Sequence, residues 1–314
     1  VVFRYFRVGK KQDADKKTRL SYVKLLADYS LRQQIDIWSS WTIFLRNEEW
    51  LLRGEARLRD FPDYYYGIGN STPESNQDKY SYLLTSAKMA ILKQIFPYCF
   101  AGVEYRLDNM RKVEFSPEGT LGVTQPTGYR GGLFSGLGTL LVFDNRDNVV
   151  NASKGHYVEL SSYFYERWWG SDVSYTNLNA QYSTYFEVIP EKNHILALQF
   201  RTQLNFGDVP FTLLAPVGGD EMLRGYPRYR YRDLHFSGLQ AEYRMPIYQR
   251  TGVVFFSGLG DNFGTTTPKW DTLKYSLGTG LRFALQQKEK FNLRLDYGIG
   301  RNSHGFYISV AEAF

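Results

Sequence analysis

One cysteine, Cys99, and four histidines are all that 314 residues offer to soft-metal or redox chemistry. A lone cysteine excludes an internal disulfide and any cysteine-rich metal site. His156, His194, His235 and His304 are too far apart in sequence for ligand spacing. No run approaches the roughly 20 unbroken apolar residues that a membrane helix needs. With a mean hydropathy of −0.40, a helical membrane protein is excluded. No signal peptide is visible. The chain opens in mid-pattern at Val1-Val2-Phe3-Arg4-Tyr5-Phe6, so a leader or a further domain is expected upstream. No Pro/Ser-rich linker interrupts residues 1–314, which read as one domain. Catalytic motifs are missing as well: there is no Gly-x-Ser-x-Gly elbow, no His-Glu-x-x-His helix and no phosphate loop. His156 lies near Asp147 and Ser153 in sequence, the nearest approach to a hydrolase set, but it falls in a turn. An enzyme is not expected, nor a nucleotide, metal or other cofactor.

What the chain has in quantity is aromatic residues and glycine. Tyr, Phe and Trp make up 17%, with 25 tyrosines, and there are 28 glycines. Net charge is +6 and pI about 9.1. The Lys and Arg residues are scattered along the chain and form no single patch, so nucleic acid is not an expected partner. A charge run at Gly9–Lys17 reads as a solvated loop. An aromatic-rich, moderately polar composition suits a transmembrane β-barrel, where each strand alternates a lipid face with a polar lumen face and the averages cancel.

The alternation is explicit in the last third. In 290–301, Phe291, Leu293, Leu295, Tyr297 and Ile299 share one face, and Asn292, Arg294, Asp296, Gly298 and Gly300 the other. In 232–248, Leu239, Ala241, Tyr243, Met245 and Ile247 oppose Gly238, Gln240, Glu242, Arg244 and Pro246. Period-two patterning predicts strands at 1–8, 18–29, 33–46, 48–59, 62–68, 79–93, 96–112, 132–145, 154–169, 174–188, 192–206, 232–247, 251–261, 272–287, 290–301 and 304–314. Sixteen is an even number, as single-chain barrels of this kind require. Short turns are expected at Ser30–Arg32, Asp60-Phe61, Ile95, Glu191, Gln249-Arg250 and Lys288-Glu289. Long loops are expected at Lys10–Lys17, Asn70–Asp78, Pro117–Gly131 and Gly207–Tyr231. Short periplasmic turns and long outer loops are the usual asymmetry. Trp38, Trp41, Trp50, Tyr64–Tyr66, Trp168-Trp169 and Trp270 gather near run ends, as an interfacial girdle would. A soluble β-sandwich is the alternative, but its strands are usually shorter.

Within the longest of these loops lies Gly218-Gly219-Asp220-Glu221-Met222-Leu223-Arg224-Gly225-Tyr226-Pro227. Gly225 admits backbone angles closed to other residues, and Pro227 ends any regular ladder. Such a segment can fold back and aim one arginine at a fixed target. Leu223-Arg224-Gly225-Tyr226 resembles the Val-Arg-Gly-Phe/Tyr motif of the BamA/TamA-type outer-membrane assembly barrels, also called bacterial surface antigens. Asp144-Asn145-Arg146-Asp147-Asn148, followed by Asn151-Ala152-Ser153-Lys154-Gly155, is similar to that family's periplasmic turn between strands 8 and 9. Phe314 resembles the C-terminal aromatic residue of most outer-membrane barrels.

The resemblance implies an all-β, 16-stranded antiparallel transmembrane β-barrel with a long, inward-folding sixth outer loop, in the outer membrane of a Gram-negative bacterium. It implies that Arg224 pairs with inward side chains of strands 12 and 13. Glu242 is the expected partner there, with Phe256 beside it. The family's Phe-x-Asp-x-Gly pattern reads here Phe256-Ser257-Gly258-Leu259-Gly260, so the aspartate is missing and Asp261 is the expected substitute; an alternative is an arginine hydrated in a wide lumen. The implied turn residues are Asp144, Arg146, Asp147, Asn148, Lys154 and Gly155. The implied functional seam joins the first and last strands through Val1, Phe3 and Tyr5 on one side and Gly305, Tyr307, Ser309 and Phe314 on the other. Small residues Gly305, Ser309, Ala311 and Ala313 are expected to leave the last strand thinly packed. The partners implied are the outer-membrane bilayer and client outer-membrane or exported proteins, with accessory lipoproteins or periplasmic subunits. A passive pore, or an anchor for another domain or subunit, is the alternative function.

Overall fold

The computed structural model describes residues 19, 21–29, 34–267, 269–286 and 290–314, and the backbone alone of 2–8. The strands are β1 (Val2–Val8), β2 (Ser21–Tyr29), β3 (Ile35–Leu45), β4 (Trp50–Tyr65), β5 (Asp78–Phe96), β6 (Cys99–Glu114), β7 (Gly132–Asp144), β8 (Gly155–Tyr165), β9 (Tyr175–Ile189), β10 (His194–Gly207), β11 (Ala215–Val217), β12 (Tyr231–Asp233), β13 (His235–Tyr248), β14 (Thr251–Phe263), β15 (Lys274–Gln286), β16 (Phe291–Gly300) and β17 (Ser303–Val310). Among the described residues there is one short α-helix, α1 (Thr120–Thr124), in the loop after β6. Fifteen strands among the described residues form a single antiparallel sheet in chain order, with β10 paired to β13 across the intervening loop. β11 and β12 make a separate hairpin at the foot of that loop.

Side chains from distant strands meet on the inner face, so the sheet curls round a lumen. Arg53 of β4 bonds Glu159 of β8 at 2.7 Å. Asn70, just after β4, bonds Asp261 of β14 at 3.1 Å. The burial pattern is inside out. Along β15, Tyr275, Leu277, Leu281 and Phe283 are exposed, while Ser276, Gly280 and Arg282 are buried. Ile308 of β17 is 68% exposed, whereas Arg224, Arg232 and Arg294 are among the largest fully buried side chains. A soluble sandwich would bury the apolar set. A barrel in lipid has the opposite arrangement, because hydrocarbon solvates the outer face and water or partners satisfy the inner one.

The strand division differs from the sequence reading at four places. The runs 48–59 and 62–68 are one strand, β4, with no turn at Asp60-Phe61. The β3 register ends at Ile35↔Asp60. Beyond it Pro62 lies on an edge among the described residues, where a missing N–H costs no ladder bond on that side. The loop with the Arg-Gly-Tyr motif therefore follows the tenth strand of the sheet, not the eleventh. Within it, the small hairpin β11/β12 has no counterpart in the sequence pattern. The last strand ends at Val310 rather than 314, because Ala311 takes a left-handed φ of 77°.

Pro97-Tyr98, 190–193 and 249–250 are short turns at the same end as the Asp144–Gly155 connection, where the Tyr98 carbonyl accepts the Asp144 N–H at 2.9 Å. Ser30–Arg32, Lys288-Glu289 and the Lys10–Lys17 segment lie outside the described residues. Arg19, at the foot of β2, bonds the Asp144 carbonyl at 2.9 Å. That foot is therefore at the short-turn end, opposite to the side expected for the loop before it.

Candidate functional site

Above the lumen, Phe211 from the long loop inserts among tyrosines of β4 and β5. Its ring centroid lies 5.5 Å from that of Tyr65 and 5.3 Å from that of Tyr80. Below this plug the loop descends, and a cavity of about 440 Å³ remains between it and polar side chains such as Arg57, Lys88, Arg106, Asp108 and Glu159. The descent is anchored at the hairpin. Buried Asp233 accepts hydrogen bonds from the N–H and hydroxyl of Thr265 at 2.9 and 2.8 Å and from the Thr266 hydroxyl at 3.0 Å.

The motif itself lies on the backbone of β16. Gly225 has φ of 115°, and a Cβ there would stand 2.7 Å from the Ile299 carbonyl carbon. A Cβ on Gly298 would meet the Arg224 carbonyl carbon at 2.6 Å, and one on Gly300 the Tyr226 ring at 2.5 Å. The Gly298-Ile299-Gly300 triplet is thus a cradle for the loop, and only glycines permit so close an approach. Polar contacts fix the seat. Ser276 donates to the Arg224 carbonyl. Tyr307 accepts the Gly225 N–H at 2.9 Å, and Ser303 donates to the Gly225 carbonyl at 2.7 Å. Tyr226 accepts the Arg301 N–H at 2.8 Å. Leu223 packs over Gly258 and Gly260, each within 3.1 Å of it were a Cβ present. The glycine at the missing aspartate position therefore makes room for a leucine.

Arg224 is fully buried. It pairs with Glu242 of β13 and, at 2.6 Å, with Asp296 of β16, and its guanidinium lies 3.6 Å from the Phe256 ring centroid. Each carboxylate is shared. Glu242 also binds Arg244 at 2.9 Å, and Asp296 also binds Arg282 at 2.5 Å. Gly280, opposite Asp296 in the β15–β16 register, leaves space for that carboxylate. A buried charge without partners would be expensive; here each is doubly compensated. Asp261 does not join this set. It pairs with Lys274 at 2.6 Å and with Asn70 and Thr272, tying β14 to β15 and to the loop after β4. Asp296 and the glycine cradle are not singled out by any sequence motif, although the alternation of β16 places both on the lumen face.

The turn residues form a second unit, apart from the loop motif. Arg146 clasps Asp144 at 2.8 and 3.0 Å and covers the Tyr157 ring at 4.5 Å. Asn148 accepts the N–H groups of Val150 and Asn151. Asp147 accepts those of Ser153 at 2.8 Å and Lys154 at 3.2 Å, and pairs with Lys290 at 3.1 Å. Burial pushes the Asp147 carboxyl up, but those two N–H groups and Lys290 outweigh it and hold it below the ordinary carboxylate value. Gly155 leaves the turn at φ 105°. His156 turns away to Tyr182, at 3.1 Å, so it does not converge with Asp147 and Ser153. Among the described residues no group of three or more His, Cys, Asp or Glu side chains is placed to hold a metal.

Of the seam residues, Gly305, Tyr307 and Ser309 lie on the inner face of β17. The strand is less thinly packed than expected, since the Tyr307 hydroxyl occupies the space beside Gly305. Phe314 has left the sheet. Val1 lies outside the described residues, as do the side chains of Phe3 and Tyr5.

The Omp85 superfamily domain matches residues 65–314. Among solved structures, the chain is similar to the BamA of Haemophilus ducreyi lacking POTRA domains 1–3: TM-score 0.56, 14% identity, 98% of this chain and 68% of that one. A second similarity, to the toluene transporter TodX of Pseudomonas putida, has a TM-score of 0.41 at 9% identity, covering 94% of this chain and 85% of that one. No curated protein matches the sequence. The domain match spans the loop, its glycine cradle and the last strand, and the BamA barrel shares the fold. The chain belongs to the Omp85 superfamily and is a BamA/TamA-type β-barrel of the Gram-negative outer membrane, in a family of outer-membrane assembly and translocation proteins.

Proposed function

We propose that this barrel inserts or exports client proteins at the outer membrane by opening laterally between its first and last strands, without a nucleotide. The supporting observation is the form of the last strand. β17 contributes only Ser303–Val310 to the sheet before the chain turns inward at Ala311, whereas β5 runs from Asp78 to Phe96. A short edge offers few ladder bonds to its neighbour and a ready template for a client strand. Backbone groups left unpaired in lipid are costly, so an open edge must be brief or filled by the client. The loop motif is the clamp in this reading: Tyr307 and Ser303 of β17 hold Gly225. Accessory lipoproteins or periplasmic subunits would deliver clients to the short-turn end.

A passive pore or membrane anchor is the second reading, favoured by the polar cavity beneath the loop. Locking the seam separates the two. With Cys99 replaced by serine, cysteine pairs are scanned between residues 2–8 and 303–310, where efficient bonding also reports strand adjacency. A locked barrel that stops outer-membrane protein assembly, restored by reduction, supports the gate. A barrel that crosslinks fully and still assembles clients refutes it.

A further inference from the structure

Past Val310 the chain takes a course that neither the strand pattern nor the loop motif requires. Ala311 donates a last hydrogen bond to the Asn292 carbonyl at 2.9 Å and adopts a left-handed φ of 77°. That conformation is unfavourable for a residue with a Cβ and persists only where its surroundings hold it. The last three residues turn into the lumen. The Glu312 side chain is 1% exposed and accepts hydrogen bonds from Arg282 at 2.6 Å and Asn292 at 2.8 Å. Phe314 reaches β9, β10 and the Asp144–Gly155 connection, packing with Tyr185, Ile195, Ala197 and Ala152. Its carbonyl accepts Arg244 at 2.9 Å.

Three arginines besides Arg224 share the carboxylates of the loop motif: Arg244 on Glu242, and Arg282 and Arg294 on Asp296, and the first two of these also reach the tail. Two parallel chains of charge therefore start at Arg224 and end on the tail. One runs through Glu242 and Arg244 to Phe314. The other runs through Asp296 and Arg282 to Glu312. In a buried network of this kind, loss of one member leaves its neighbours short of partners. We propose that Glu312-Ala313-Phe314 is a latch that holds the end of the last strand folded into the lumen, and that the seating of Arg224 in the loop motif sets whether the latch is engaged. Release of the motif loosens the tail, and release of the tail loosens the motif. The purpose assigned to the latch, control of the free strand edge, rests on the lateral-gate reading; its position and its coupling to the loop do not.

The test uses the whole chain in lipid vesicles, with Cys99→Ser and a single reporter cysteine, Ala313→Cys, modified by a membrane-impermeant maleimide. In the parent the reporter reacts slowly. Glu312→Gln and Arg224→Lys each raise its rate about tenfold, the size expected when one charge-assisted hydrogen bond is lost from a local opening equilibrium. The double variant reacts no faster than the faster single one. Gly225→Ala, which lifts the loop by steric contact with β16 and not by charge, gives the same rise. Heat-modifiability on gels reports folding for every variant. The reciprocal reading uses Glu312→Gln, far from the loop, and expects faster trypsin cleavage at Arg228. The latch is overturned if the reporter in the parent reacts as fast as a cysteine at exposed Glu118. The coupling is overturned if folded loop variants leave the reporter at the parental rate. A barrel whose locked seam still assembles clients, but whose tail responds to Arg224, would sink the gate and leave the latch standing.

Discussion

Arg224→Ala should be among the most damaging single substitutions in this barrel. The side chain is fully buried and has two carboxylate partners and an aromatic face. Removing one partner from a buried charge set costs about 3–5 kcal/mol, and a desolvated cation–π contact contributes about 2 kcal/mol. Part of this is recovered, because Arg244 remains on Glu242 and Arg282 on Asp296. We therefore expect a net loss of about 4 kcal/mol for Arg224→Ala. Arg224→Lys keeps the charge but not the planar fork, so one carboxylate loses its bond and the loss should be about 2 kcal/mol. Urea unfolding of the barrel in lipid vesicles measures both. The decisive quantity is the coupling between Arg224→Lys and Glu242→Gln in a double-mutant cycle, expected at about 2 kcal/mol. A coupling below about 0.5 kcal/mol, within the additivity of independent sites, would mean that the arginine is simply hydrated in the lumen.

Gly298→Ala should unseat the loop, since its Cβ would fall 2.6 Å from the Arg224 carbonyl carbon; limited trypsinolysis should then cut at Arg228 in a barrel that remains heat-modifiable. Tyr307→Phe removes the acceptor of the Gly225 N–H. It should cost about 1 kcal/mol and raise hydrogen exchange at that amide. Asp147 titrates below the ordinary carboxylate value in the folded turn, so its contribution is present above the unfolded pKa of about 3.9. That contribution is lost as pH falls through the lower folded pKa. Hydrogen exchange at Ser153 should accelerate over that acid window in the parent, and Asp147→Asn should make the profile flat.

The lumen face could be read from the sequence because it is written in a period of two. Gln240, Glu242 and Arg244 alternate with Leu239, Ala241 and Tyr243, and all three polar residues are buried. Which carboxylates reach Arg224 is a different kind of fact. It depends on register, Gly280 opposite Asp296, and on how the curled sheet brings β13 and β16 to one point. Asp261 is the nearer guess in sequence, but Lys274 captures it. The glycines of β16 were legible only as members of the lumen face; what lies against them, the Arg224–Tyr226 segment of the loop, is some 70 residues away in the chain. Pro62 reads as a breaker only if both neighbours demand its N–H, and past Asp60 the β3 side does not. The inward turn of the tail carries no sequence signal, because alanine is not a residue that announces a left-handed φ.

A barrel that works through the seam beside β17 must stop working when that seam is closed. The direct test is a purified barrel in vesicles carrying one efficient cysteine pair across the seam, with insertion of an unfolded client barrel and ion conductance recorded on the same sample before and after reduction. We expect the oxidised form to conduct as the reduced form does and to insert no client, with insertion restored by reductant. Client insertion at the parental rate through a fully crosslinked seam would show that the lateral gate does not exist.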